Sequence, residues 1–359
     1  MEGKVLFLNE GTEGVVRCSL CPRRCAIPSG VLGACNVRGN KNGKGILPYY
    51  GHITALAIDP IEKKPLYHFR PGSTILSAGF AGCNLRCPFC QNWHISQPAV
   101  FSQKDIPGKK MKPGDLVSAA LHENSLAIAY TYSEPLVHAE FLLDCMALAH
   151  RHGIANVLVT NGCACAEAAR EILSLADAAN IDLKCFSAET YAQTLGGCAD
   201  AFETVLAFIR LACSMNVHTE ITTLVVPGLN DSDEELDGCA GFIASLANGR
   251  GPEKPGTEIP WHLSAYHPDY RWNAPPTSAA LLLSTAQRAR KKLPYVYTGN
   301  ISVEDNATAC FHCGAVLVQR RGYRVDARGL AAPARGEGFY RCARCGERTP
   351  FMWGEGNRE

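Results

Sequence analysis

Between about residue 73 and residue 301 the chain alternates short apolar runs with longer stretches in which apolar residues recur at helical spacing. That rhythm predicts strands at 74–78, 126–130, 156–159, 180–184, 220–226, 261–264 and 296–297, separated by helices that include 136–150, 166–175, 202–215 and 233–246. The last of these opens with Ser232-x-x-Glu235 after a Pro227-Gly228 turn, a capping-box order in which the serine hydroxyl serves an otherwise unpaired backbone N–H. Repeated βα units build a parallel sheet, so the expected fold is α/β, a partial or complete (β/α) TIM-like barrel. An open dinucleotide-binding sheet would carry Gly-x-Gly-x-x-Gly after its first strand; a cysteine-rich loop stands there instead.

On either side of this region the rhythm stops. Residues 1–72 are rich in Gly and Pro and carry Cys18, Cys21, Cys25 and Cys35. So few apolar residues cannot fold such a stretch by burial alone, and four thiols in one short segment predict a metal knuckle that holds zinc or a second iron–sulfur cluster. Residues 303–359 carry Cys310-Phe-His-Cys313 and Cys342-Ala-Arg-Cys345, each pair followed by a glycine that permits a tight turn, Gly314 and Gly346. Paired C-x2-C knuckles predict a zinc ribbon. The expected organisation is therefore a metal-binding module (1–72), a barrel (73–302) and a ribbon (303–359), with both small modules covering the loops at the barrel mouth.

With 35 basic and 34 acidic residues, the 359-residue chain offers no general attraction to nucleic acid or anionic membranes. Its first ten residues lack the order of a secretory signal, and no stretch approaches the length of a membrane span. Eleven of eighteen cysteines fall into the three metal-type clusters, a usage that predicts a reducing cytoplasmic setting.

The chemistry concentrates in Cys83, Cys87 and Cys90, spaced C-x3-C-x2-C with Phe89 before the last. Three thiolates can hold three irons of a 4Fe-4S cluster and leave the fourth open, whereas a closed zinc site wants a fourth ligand, for which His94 is the local candidate. In a parallel barrel the loops after the strands share one face, so this loop should meet Glu134-Pro135, Thr160-Asn161-Gly162, Asp182 and Lys184, the 227–231 turn with Asn230, and His262. Lys63, Lys64 and His68, in a Pro-flanked basic loop, receive no role.

The cysteine pattern resembles the signature of the radical S-adenosylmethionine (SAM) superfamily. Further stretches resemble the radical SAM member of the AmmeMemoRadiSam three-gene system, a family close to the pyruvate formate-lyase activating enzymes. They are Cys18-Ser-Leu-Cys-Pro, 59–69, 82–93, 130–135, 225–231, 295–300 and the final cysteine pairs. The resemblance implies a 4Fe-4S cluster on Cys83, Cys87 and Cys90, with SAM chelating its open iron and Phe89, Glu134, Asn161, Asn230 and His262 on the cofactor side. Glu134 occupies the place of the glutamate in Gly-Gly-Glu-Pro, with Tyr132 and Ser133 in place of the glycines. Asp182-Leu-Lys184 resembles the activases' Asp-Leu-Lys and supplies the expected catalytic pair, while Val159 replaces the activases' Asp before Thr-Asn-Gly. The implied reaction is reductive cleavage of SAM to a 5'-deoxyadenosyl radical that abstracts hydrogen from an unidentified substrate. The implied partners are an electron donor such as flavodoxin or ferredoxin and the proteins of the same gene system. Two readings stand beside it: an activase of a glycyl-radical protein, and a non-catalytic iron–sulfur or zinc interaction protein. An RNA-modifying role is disfavoured by the balanced charge.

Overall fold

The computed structural model describes residues 4–97, 106–246, 258–302, 306–334 and 337–353. Its centre is a nine-stranded sheet made of β1 (His52–Pro60), β2 (Thr74–Phe80), β3 (Lys109–Lys110), β4 (Ala127–Thr131), β5 (Ala155–Thr160), β6 (Ala178–Asp182), β7 (His218–Val225), β8 (Trp261–Ala265) and β9 (Val296–Gly299). The spatial order is β9-β8-β7-β6-β5-β4-β2-β1-β3. From β2 to β9 neighbouring strands are parallel, and β1 pairs antiparallel with both β2 and β3. Each expected strand has a counterpart within a few residues. No pairing joins β9 to β3 among the described residues, so the sheet is open and a complete ring is not formed.

Among the described residues six helices of eight residues or more follow or precede these strands: α1 (Pro113–His122), α2 (Ala139–Arg151), α3 (Ala166–Leu173), α4 (Ala201–Ser214), α5 (Asp233–Ser245) and α6 (Ala279–Ala289). The Ser232 hydroxyl accepts from the Glu235 N–H and starts α5 as its sequence predicts. Because strand side chains alternate, one sheet face (Leu76, Ile128, Leu158, Ile181, Ile221, Trp261) packs with the helices in the main core. The other face carries a small apolar cluster of Ile75, Ala129, Val157 and Ala178 with Leu66 and Phe69, and around it the polar residues that matter below.

Residues 52–60, which the sequence groups with the N-terminal module, belong to this sheet. Its open edge at β2 demands a partner, and the chain preceding β2 supplies it antiparallel, with Asp59 opposite Ile75 and Ala57 opposite Ser77. The remaining N-terminal module, with a small sheet of Leu8–Glu10, Val16–Cys18 and Ala26–Ile27, docks on α2. Arg38 there reaches Glu140 with two hydrogen bonds of 2.6 and 2.8 Å, and Glu140 also accepts from the Leu6 N–H at 3.1 Å. A buried bidentate pair of this kind is costly to break because either charge would be left dry and alone.

The C-terminal module consists of two three-stranded sheets, of which Val316–Arg321 and Phe339–Cys342 are the middle strands. Its position corrects the sequence expectation. Met352 N–H donates to His68 O (2.7 Å), Arg70 N–H donates to Met352 O (2.9 Å), and Arg320 Nη2 donates to Tyr67 O (2.6 Å). Arg70 in turn donates to Leu126 O, immediately before β4 begins. The module therefore seals the N-terminal ends of the parallel strands, opposite the cysteine loop, because its contacts are with the 66–70 segment that fills that end. The expected boundary at 303 lies outside the described residues.

Candidate active site

The loop after β2 carries Cys83, Cys87 and Cys90. Gly82 enters it at φ +82°, a left-handed conformation that suits glycine. The Leu85 N–H lies 3.3 Å from Cys83 Sγ, and Ser96 Oγ lies 3.2 Å from Cys90 Sγ. Among the described residues these sulfurs form no tight metal-type group with His94 or with any other side chain. Burial pushes the Cys83 thiol far above its ordinary value and Cys87 up to about 12, so thiolates here require compensating positive charge. A three-thiol donor set beside a loop N–H suits an iron–sulfur cluster with one iron left open.

The neighbouring strand ends converge on this loop. Asn161, after β5, directs Nδ2 to Asn84 Oδ1 at 2.9 Å and to Cys83 Sγ at 3.6 Å. Glu134, after β4, is buried and accepts from Thr160 Oγ1 (2.6 Å), Asn161 N–H (2.7 Å) and Leu136 N–H (3.0 Å). Burial outweighs these bonds and raises its pKa to about 7. Its carboxylate thus ties two loops together and caps the turn Pro135–His138. Lys184, just after β6, sits 3.0 Å from Asp182 Oδ2. Burial opposes its charge, but the Asp182 carboxylate and the sulfurs of Cys87 and Cys90 raise its pKa. Cys83, Cys87, Cys90, Glu134, Asn161, Asp182 and Lys184 therefore share one place, as the barrel-mouth reasoning expects. The loop after β8 closes over them: Arg271 N–H donates to Pro88 O at 2.8 Å, and Tyr270 stacks on Trp93 with ring centroids 5.3 Å apart.

Three expected cofactor residues are engaged otherwise. Phe89 is buried in the main apolar core. Asn230 spends both amide hydrogens on backbone oxygens, Lys184 O at 2.5 Å and Leu224 O at 2.8 Å, and accepts from Val226 N–H at 2.6 Å. It braces the Lys184 backbone from behind. His262 points along the inner sheet face, away from the strand ends, to Glu220 Oε2 at 2.7 Å.

Glu220 is the residue that sequence reasoning missed. Its fully buried carboxylate accepts from Tyr67 N–H (2.9 Å), His68 N–H (2.7 Å), His218 Nε2 (2.9 Å) and His262 Nε2 (2.7 Å). An ionised carboxylate only accepts, so both histidines must carry their proton on Nε2. Burial alone would raise the Glu220 pKa, but hydrogen bonds from His218 and His262 hold it far below the ordinary range. The visible signal was a histidine, an acid and a threonine, His218, Glu220 and Thr222, at alternate positions of one buried strand. Around this hub Tyr297 stacks on His262, and Arg320 lies over the Tyr67 ring. The basic loop also has a place: Lys64 Nζ meets Asp59 Oδ2 at 2.6 Å, and Tyr132, folded down at φ +68°, donates to the same carboxylate at 2.5 Å.

The C-terminal cysteines differ in geometry from the loop. Cys310, Cys313, Cys342 and Cys345 bring all four sulfurs within 4.8 Å of one another and could hold a metal ion.

Residues 79–238 match the model of the Radical SAM superfamily. Over 352 residues the chain is 37% identical to "Uncharacterized protein MJ0808" of Methanocaldococcus jannaschii, a match covering 97% of this chain and 99% of that protein. It is 26% identical over 174 residues to the pyruvate formate-lyase 1-activating enzyme of Escherichia coli K12, covering 47% of this chain and 68% of that enzyme. Among solved structures, a domain of the pyruvate formate-lyase-activating enzyme from Bacteroides vulgatus is similar with TM-score 0.39 and 22% identity, over 48% of this chain and 99% of that one.

Proposed function

We propose, from the match of residues 79–238 to the Radical SAM superfamily, that Cys83, Cys87 and Cys90 would hold a 4Fe-4S cluster with one iron left open to SAM at the mouth of a partial barrel. Held there and reduced by an external donor such as flavodoxin or ferredoxin, the cluster would supply the one electron that cleaves SAM to methionine and a 5'-deoxyadenosyl radical. The observation that carries the reading is the three-thiol loop without a fourth side-chain ligand, surrounded by Glu134, Asn161 and Lys184.

The chain's own residues do the positioning. Glu134 keeps a lone pair on Oε2 for the SAM ammonium while it fixes Asn161. The Asp182–Lys184 pair presents a cation to the SAM carboxylate or to the substrate, and Asn230 holds that lysine's backbone in place. The 266–272 segment, clasped to the cysteine loop, excludes water from the radical.

The substrate of this reading is a small polar molecule held on the inner sheet face below the loop. In support, that face carries His218, Glu220, Thr222 and His262 beside its small apolar cluster. Thr222, paired in register with Asp182, keeps a buried hydroxyl without a partner. The resemblance to the AmmeMemoRadiSam family supports a substrate shared with proteins of that gene system, with flavodoxin or ferredoxin as reductant. An activase role has less support, because Val159 stands where those enzymes have Asp.

The test is anaerobic reconstitution with dithionite and SAM. The expected result is 5'-deoxyadenosine and methionine in equal amounts, abolished in Cys87→Ala. Absence of 5'-deoxyadenosine from iron-replete protein would reject the reading. A glycyl-radical signal on an added protein would replace the small-molecule substrate by a polypeptide.

A further inference from the structure

The N-terminal cysteines and the C-terminal cysteines are both sets of four, yet the fold arranges them differently. A zinc ion bonded to four sulfurs at about 2.3 Å in tetrahedral geometry places those sulfurs about 3.8 Å apart. The C-terminal set matches, with Cys310 and Cys345 sulfurs 3.8 Å apart and Cys313 and Cys342 sulfurs 3.7 Å apart. The N-terminal set, all of it described, forms no such tight group. Nonetheless Cys18, Cys21, Cys25 and Cys35 line one pocket, together with Arg38 and Val137. Thiols that surround a common space but stand apart cannot all bond one small ion without moving. They suit a cubane, in which each sulfur bonds a different iron. Cys83, Cys87 and Cys90 form no such tight group either.

A second observation points to an anionic occupant. Arg38 is 1% exposed, and Glu140 takes its two terminal nitrogens. Its Nε is buried and has no hydrogen-bond partner, in a side chain that lines the pocket. A buried donor left unpaired is costly, so a cluster sulfur that accepts from it would remove a real penalty.

We propose that Cys18, Cys21, Cys25 and Cys35 bind a second 4Fe-4S cluster, closed by four protein ligands, with Arg38 Nε donating to one of its sulfurs. The site abuts the first loop: Arg23 Nε donates to Asn84 O at 3.2 Å, Arg86 donates to Ala34 O, and Gly82 packs on the Cys35 carbonyl. Occupancy of this site does not depend on the catalytic reading above.

The experiment uses the full-length Cys83→Ala/Cys87→Ala/Cys90→Ala variant, which lacks the catalytic ligands and leaves the N-terminal module intact. After anaerobic reconstitution with iron and sulfide, about four irons per chain with the Mössbauer signature of a cubane are expected. Two zinc ions per chain and no iron, or no metal at the N-terminal site, would overturn the proposal. In the otherwise native chain, Arg38→Lys keeps the charge and removes Nε, so the midpoint potential of the second cluster should become more negative. An unchanged potential would take Arg38 out of the site.

Discussion

A Cβ placed on Gly82 would stand 2.5 Å from the carbonyl oxygen of Cys35. The residue that opens the catalytic cysteine loop is thus shaped against the last cysteine of the N-terminal module. Gly82→Ala combines that clash with a left-handed φ of +82°, and a cost of about 1–3 kcal/mol falls on the loop itself. Iron content and 5'-deoxyadenosine formation should drop together. Gly322→Ala, at φ +57° with nothing within 4 Å of the added carbon, should cost only about 1 kcal/mol and leave iron unchanged.

Lys184 reaches Asp182, and its charge is stabilised by that carboxylate and by the cysteine sulfurs, so its loss should affect chemistry before metal. Lys184→Gln is expected to retain the iron of the native chain while 5'-deoxyadenosine forms roughly tenfold or more slowly, the loss typical of one positioned charge. Loss of iron in step with activity would assign the lysine to the fold instead.

Glu220 gathers four donors, and Glu220→Gln turns part of an acceptor into an NH2 group facing N–H groups. Breaking such a buried charged network costs about 3–5 kcal/mol. Urea unfolding should show that loss, and hydrogen exchange at Tyr67 and His68, whose amides donate to the carboxylate, should accelerate.

Burial lowers the His138 pKa from 6.5 to about 4, while its Nε2 donates to Ala81 O at 2.7 Å. The unfolded chain binds this proton first, so the contribution is complete above pH 6.5 and is lost as pH falls from 6.5 towards 4. The shift corresponds to about 3 kcal/mol. Denaturant titrations across that interval should show stability falling with acidity, and His138→Gln, which cannot titrate, should flatten the slope there.

The C-terminal sulfurs stand at zinc spacing, and we expect one zinc per chain at that site, lost in Cys342→Ser. Because Met352 and Arg320 bond the backbone of residues 67–70, loss of the metal should raise hydrogen exchange in that segment as well as in the module. Unaltered exchange at 67–70 would show that docking does not need the ion.

The strands from 74 to 297 and the convergence of Cys83, Glu134, Asn161 and Lys184 were legible because both follow from local rules. Apolar periodicity sets element type, and parallel βα order sends every loop after a strand to one end. β1 was not legible, since nothing in His52–Pro60 names its antiparallel partner across the turn to Thr74. The placement of His262 failed for a related reason. Its strand position puts it level with Thr222, but its ring follows the carboxylate of Glu220, and a hydrogen bond across 42 positions leaves no mark in sequence spacing.

By itself the sequence determined the ligands and the rhythm: three thiols on one loop, four in each flanking segment, and a parallel sheet between them, because thiol spacing and strand periodicity are short-range properties of a chain. Only the tertiary structure decided which end the C-terminal module seals, that Glu220 binds Tyr67 and His68 from about 150 residues away, and that the C-terminal sulfurs gather into one tight group. Those outcomes depend on burying charge with a partner and filling space without overlap, and both conditions are set by residues that meet only after the chain has folded.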